Sequence, residues 1–176
     1  MSDSEDSDFH LGHVVGMLLS GSPPSGSGRV RVDDQRGDVE IYEVAFVRPG
    51  MWRAASSAQL WVCDGETCAV RVGKGPVESR PTGRGRMPRP LYPFFPLDAP
   101  IWGRRGDDWR MRERPRAQDG TWLVELENLD APKHTAELVV DPGRPGITAI
   151  RIPGSAVDVV SFDAGPPDAA AFRLPG

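Results

Sequence analysis

The chain has 176 residues, 39% of them hydrophobic and 26% charged, with a net charge of −4 at pH 7. That length and balance fit one globular domain with a full core, and exclude a disordered chain or a strongly basic nucleic-acid binder. Its 20 glycines and 18 prolines follow no period, so the chain is broken by many turns, as β-rich domains are.

The first eight residues carry four acids and no base, and read as a disordered acidic tail, 1–8, ahead of a single domain, 9–176. With no basic start, long apolar run or early cysteine, the chain as given is expected to be soluble, cytoplasmic and without a transmembrane segment. Apolar residues from Phe9 through Val14, Val15, Met17, Leu18 and Leu19 predict a short helix, capped by Ser7 or Asp8 and ended by Gly21. Residues 20–28, rich in Gly, Ser and Pro, read as a flexible linker.

From Arg29 the period becomes two. Residues 29–32 and 39–48 flank a turn at 33–38, as in a hairpin, and 51–55 form the next strand. The clearest hairpin joins 59–63 to 68–72 through Asp64-Gly65-Glu66-Thr67. Its register sets Trp61, Cys63, Cys68, Val70 and Val72 on one face, the better candidate for the core, and Leu60, Val62, Ala69 and Arg71 on the other. Residues 73–90 form a Gly/Pro/Arg-rich loop. The strands 108–112, 121–129, 136–140, 147–152 and 157–162 complete a meander, and 167–174 is a short helical turn that tucks in Phe172 and Leu174. The reading is about eight strands with no βαβ alternation, hence a mainly β (α+β) fold built on a curved antiparallel sheet, an incomplete barrel.

One stretch fits none of these elements. Residues 91–102, Leu-Tyr-Pro-Phe-Phe-Pro-Leu-Asp-Ala-Pro-Ile-Trp, hold three prolines among aromatic and aliphatic side chains. Proline removes backbone donors and fixes φ, so neither a helix nor a central strand can pass through it. It is also too apolar for a solvated loop. The expectation is a plug or cover lying across the apolar concavity of the sheet.

The chemistry-bearing residues point away from catalysis. Cys63 and Cys68 oppose each other across a hairpin, but two thiols without a nearby histidine do not make a zinc site, and reduced thiols are expected. His10 and His13 stand at helical spacing beside Asp8 without a third ligand. The glycines at 73–75 and 83–85 are not followed by a helix or by GKS/T, and no Gly-x-Ser-x-Gly elbow occurs. No enzyme, metal or cofactor is therefore expected. Residues 74–116 carry eleven Lys/Arg against five acids, without a recognisable nucleic-acid-binding helix, so no nucleic-acid partner is expected either.

Several local stretches resemble a known family. These are Tyr42-Glu43-Val44, Pro49-Gly50-Met51-Trp52-Arg53, Cys63-Asp64-Gly65-Glu66-Thr67, Pro100-Ile101-Trp102-Gly103-Arg104 with Asp107-Asp108-Trp109-Arg110, Glu137-Leu138-Val139-Val140-Asp141-Pro142 and the closing Pro167-Asp168-Ala169-Ala170-Ala171-Phe172-Arg173. Together with the element order, they resemble the LolA/LppX/RseB-like superfamily, of outer-membrane lipoprotein-carrier type, in its actinobacterial form. The resemblance implies a half-barrel closed by helices and loops, and either a carrier of lipid-like ligands or a sensor that docks on another protein. The expected apolar cavity is lined by Tyr42, Trp52, Trp61, Leu91, Phe94, Phe95, Trp102 and Trp122, with Arg84, Arg86, Arg89 and Arg104 placed to meet an anionic head group or a partner. The leading expectation is a non-enzymatic module that holds a lipid or other apolar small molecule between the sheet and the 91–102 cover. The alternative is a protein-interaction module of the RseB kind, its core filled by the same aromatics.

Overall fold

The computed structural model describes residues 3–34, 36–83, 86–144 and 146–175. One helix, α1 (Asp3–Ser20), precedes the strands β1 (Ser25–Asp33), β2 (Val39–Val47), β3 (Met51–Ala55), β4 (Gln59–Asp64), β5 (Thr67–Val72) and β6 (Glu78–Pro81). After a long connection come β7 (Trp109–Met111), β8 (Arg116–Gln118), β9 (Thr121–Asn128), β10 (Thr135–Val140), β11 (Ala149–Ile152) and β12 (Ser155–Ala164). All belong to one open antiparallel sheet ordered β6-β5-β4-β3-β2-β1-β12-β11-β10-β9-β7, with β8 also paired to β9. The fold is thus mainly β, a curved half-barrel. Its two meanders, β1–β6 and β7–β12, join where β1 pairs with β12.

This topology dictates the cover. Strands β6 and β7 lie at opposite edges of the sheet, so the connection between them must cross the whole inner face. Residues 91–102 are the buried middle of that crossing: Leu91, Phe94, Phe95, Ala99 and Ile101 are each at most 4% exposed. Irregular backbone can be buried here because its donors are satisfied locally. Leu91 N donates to Pro88 O (2.9 Å), Phe94 N and Phe95 N both donate to Leu91 O (3.0 Å), and Asp98 N donates to Phe95 O (2.9 Å), while the prolines have no donor to satisfy. Two tethers fix it to the sheet side. Ile147 N donates to Pro93 O at 3.0 Å, and the Arg48 guanidinium donates to Phe94 O while lying 4.8 Å over the Phe95 ring.

Inner-face residues Val30, Tyr42, Val44, Phe46, Ala54, Leu126, Leu138 and Ile150 form the core with the cover and with Val14 and Leu18 of α1. The aromatic centre is Phe94, whose ring stands 5.4 Å from Phe46 and 5.3 Å from Phe162. A smaller layer lies on the outer face. Ala45, Arg53, Val62 and Ala69 form one cross-strand row, and the C-terminal 3-10 turn Ala169–Phe172 packs over β3 and β4 to bury Phe172 there. The β4–β5 hairpin has the expected Cys63↔Cys68 register, but both its faces are covered: Val62 and Ala69 are 1% and 3% exposed, and Val72 is 63% exposed at the hairpin's end.

Four boundaries differ from the sequence reading. Helix α1 starts at Asp3 rather than near Phe9. The stretch read as a flexible linker is largely strand, because β1 begins at Ser25. Its glycines serve close packing: a Cβ on Gly26 would run into the Phe162 ring, and one on Gly28 into the Ser161 carbonyl. The sheet of the described residues has twelve strands rather than about eight; β6 and β8, absent from the reading, are solvent-facing edge segments without an apolar face and therefore give no period-two signal.

Candidate functional site

Where the crossing segment first reaches the inner face, two hollows open on either side of Arg89. The first, about 260 Å³, lies between the cover and the β11–β12 hairpin. Its apolar wall includes Ile101, Trp109, Ile150, Ile152 and Val157, beside Pro100, with Tyr92, Ser155, Arg86, Arg89 and Asp108 completing it. The second, about 610 Å³, lies over the β1–β2 turn and the start of β4. Val32, Tyr42, Trp61, Met87, Pro88 and Pro90 wall it, and Asp34, Asp38, Glu40, Gln59 and Arg89 supply polar groups. The hollows adjoin, since Val32 of the second pairs directly with Val157 of the first. The 3-10 turn Arg89–Leu91, packed on β1 and β2, is the partition between them.

The electrostatics of this mouth are uneven. Arg86 Nη1 donates to Asp108 Oδ2 (2.8 Å) and Nη2 to Gly106 O (2.7 Å), a pairing that raises the guanidinium pKa. Arg89 has no ion pair among the described residues. Burial holds the Tyr92 phenol above its ordinary pKa, with Arg86 and Arg89 acting in the opposite sense, so it stays neutral at physiological pH. Tyr42, 4% exposed, donates its hydroxyl to Glu40, and burial followed by that carboxylate raises its pKa strongly. The Tyr42 and Trp61 rings stand 5.8 Å apart at 37°, meeting diagonally across β3 beside the small Ala54, which pairs with Val44 and Trp61.

The expected site residues that the structure describes divide into four groups. Arg86, Arg89, Tyr42 and Trp61 reach the two hollows. Leu91, Phe94 and Phe95 fill the space under the cover and are core. Trp52, Trp102 and Trp122 are half-buried against that core: Trp102 Nε1 donates to Pro96 O (2.7 Å), and Trp122 lies edge-on to His13 of α1 at 6.0 Å. Arg104 turns back onto its own loop, donating to Leu97 O (2.8 Å) and Asp107 (3.3 Å), which fixes the end of the cover. Arg84 lies outside the described residues.

Ile150, Ile152, Val157, Ile101, Trp109 and Tyr92 were not among the expected cavity residues. Their strands are legible from alternation, but their meeting with the cover depends on the long-range β1–β12 pairing. Elsewhere, Cys63 and Cys68 are free thiols facing each other across the hairpin, near Thr82 Oγ1 at 3.4 and 3.9 Å. Burial and then Cys63 push the Cys68 thiol up to about 11. Among the described residues no three His, Cys, Asp or Glu side chains gather as a metal site requires, and no helix is long and apolar enough to cross a membrane.

No family model and no curated protein matches the chain. Among solved structures it is similar to an uncharacterized conserved protein from Thermus thermophilus, with a TM-score of 0.61 at 10% identity over 94% of each chain. It is similar at a lower level to MucB, with a TM-score of 0.47 at 14% identity over 99% of this chain and 64% of MucB. A LolA superfamily protein from Nitrosomonas europaea gives a TM-score of 0.38 at 11% identity over 92% of this chain and 97% of that one. The Thermus match is a likeness of fold. The open antiparallel sheet, with helix and cover on one face, is the architecture that the LolA/RseB resemblance implies.

Proposed function

We propose that the protein is a non-enzymatic binding module for a small amphiphile, whose apolar end enters the 260 Å³ hollow and whose anionic end meets Arg89. The observation that carries this reading is an apolar slot of five side chains opening beside a guanidinium that has no ion-pair partner among the described residues. Each CH₂ buried there contributes about 0.8 kcal/mol, and a guanidinium adds a charge-assisted contact to a carboxylate or phosphate. The slot sits at the end of the cover rather than beneath it, because Phe94 and Phe95 occupy the space beneath.

Native mass spectrometry of protein purified without detergent, followed by titration with a medium-chain fatty acid, tests this. The expected result is one bound chain, lost in Ile152→Trp, which fills the slot, and weakened in Arg89→Ala. A clean apo mass with no uptake refutes it. That outcome would favour the second reading, a protein-interaction module, which the aromatic filling beneath the cover supports.

A further inference from the structure

The 610 Å³ hollow on the other side of Arg89 has no part in holding an acyl chain. Its volume lies in the range of small-molecule sites, and its walls have a particular chemistry. Tyr42 and Trp61 present two rings 5.8 Å apart, inclined at 37° to each other. Tyr42, 4% exposed, backs the pair, so the partly buried Trp61 ring is the one that can face a cation within about 6 Å of its centroid. Tyr42 remains a neutral phenol, because its buried hydroxyl donates to Glu40 and so aligns that carboxylate beside the rings. Asp34 and Asp38 stand on the turn above; Asp34 Oδ1 is taken by the backbone N–H groups of Arg36 (2.7 Å) and Asp38 (3.0 Å). Among the described residues, the one opposing charge lining this hollow is Arg89.

The three carboxylates outweigh Arg89, so this hollow disfavours a simple anion and favours a cationic group held on its carboxylate side, while Arg89 at the divide is left for an anionic group beside it. Resting on the amphiphile reading above, we infer that the ligand is zwitterionic. Its anionic group lies on Arg89, its alkyl chain in the Ile150–Ile152–Val157 slot, and an ammonium or quaternary ammonium group extends past Arg89 into the Tyr42–Trp61–Glu40 hollow. Arg89 is the divider between the slots, so one ligand bridges them only if its charges are ordered chain, anion, cation.

The test is a calorimetric titration of the full chain with dodecylphosphocholine, dodecyl phosphate and dodecyltrimethylammonium, each below its micelle onset. Dodecylphosphocholine is expected to bind about tenfold more tightly than either other ligand, about 1.4 kcal/mol. Glu40→Gln and, separately, Trp61→Leu should bring it down to the level of dodecyl phosphate while leaving dodecyl phosphate unchanged. Equal binding of dodecyl phosphate and dodecylphosphocholine overturns the zwitterion and leaves the amphiphile reading standing. Equal or tighter binding of the trimethylammonium ligand overturns the chain–anion–cation order. If none of the three binds, both readings fall.

Discussion

If the crossing segment is a structural plug, truncating its central ring must damage the whole domain. Phe94 is 1% exposed, and its ring contacts those of Phe46 and Phe162 at 5.4 and 5.3 Å. Removing a buried Phe side chain costs about 3–5 kcal/mol. Phe94→Ala belongs in the upper half of that range, because it deletes two ring pairs that each contribute about 0.5–1.5 kcal/mol beyond area burial. With a urea slope of about 2 kcal/mol/M, the midpoint should fall by about 2 M. Phe94→Leu should fall less, and Leu97→Ala, on the same segment but 52% exposed, should stay within about 0.5 kcal/mol of the parent. Urea titration followed by tryptophan fluorescence and circular dichroism reads all three. A midpoint shift below about 0.5 M for Phe94→Ala, with an unchanged slope, would show that the core is complete without the segment and that it is a detachable lid.

Two further tests address the strands and the outer face. Gly28→Ala pushes a methyl into the Ser161 carbonyl and should cost about 1–3 kcal/mol, whereas Gly12→Ala on α1, with nothing within 4 Å, should gain up to about 1 kcal/mol; thermal melts that rank the two the other way would contradict the β1–β12 packing. The Glu127 carboxyl, hydrogen-bonded by Arg110 (2.9 Å) and also by Arg112 (3.3 Å), lies below the usual carboxylate range. Its stabilising contribution is therefore complete above its unfolded pKa of about 4.3 and lost as pH falls through the lowered folded value, so Glu127→Gln should flatten the melting temperature's dependence on pH below about 4.

What the sequence made legible follows from the range of each signal. A hairpin whose turn residue requires a positive φ, such as Asp64-Gly65, is a local statement, and it lies where the reading put it. The buried middle of residues 91–102 was also legible, because an apolar segment barred from helix and sheet has few places to go. The illegible parts depended on partners far away in sequence. Gly26 and Gly28 look like a linker unless one knows that Phe162, more than 130 residues on, lies across them. Phe94 and Phe95 read equally well as cavity lining or cavity filling, since their residue type is the same in either case. The difference lies in whether Phe46 and Phe162 reach them, and they do.

The same topology explains why hollows open at one end of the cover while, among the described residues, the space beneath it is filled. A connection between opposite edges of a sheet must span the inner face, and its middle is then committed to the core by packing density. Its first residues are not so committed. They arrive where β1 runs out into its turn and where the β11–β12 hairpin bends, so backbone leaves the sheet on both sides of Arg89 and the inner face is left partly uncovered. Side chains at 86–89 consequently stand over two hollows without carrying the aromatic core. Substitutions there should change what is bound at little cost in stability, whereas substitutions at 91–95 should change stability first. The partition between binding and folding thus falls within the Arg89–Leu91 turn: Arg89 faces the hollows and Leu91 is 0% exposed.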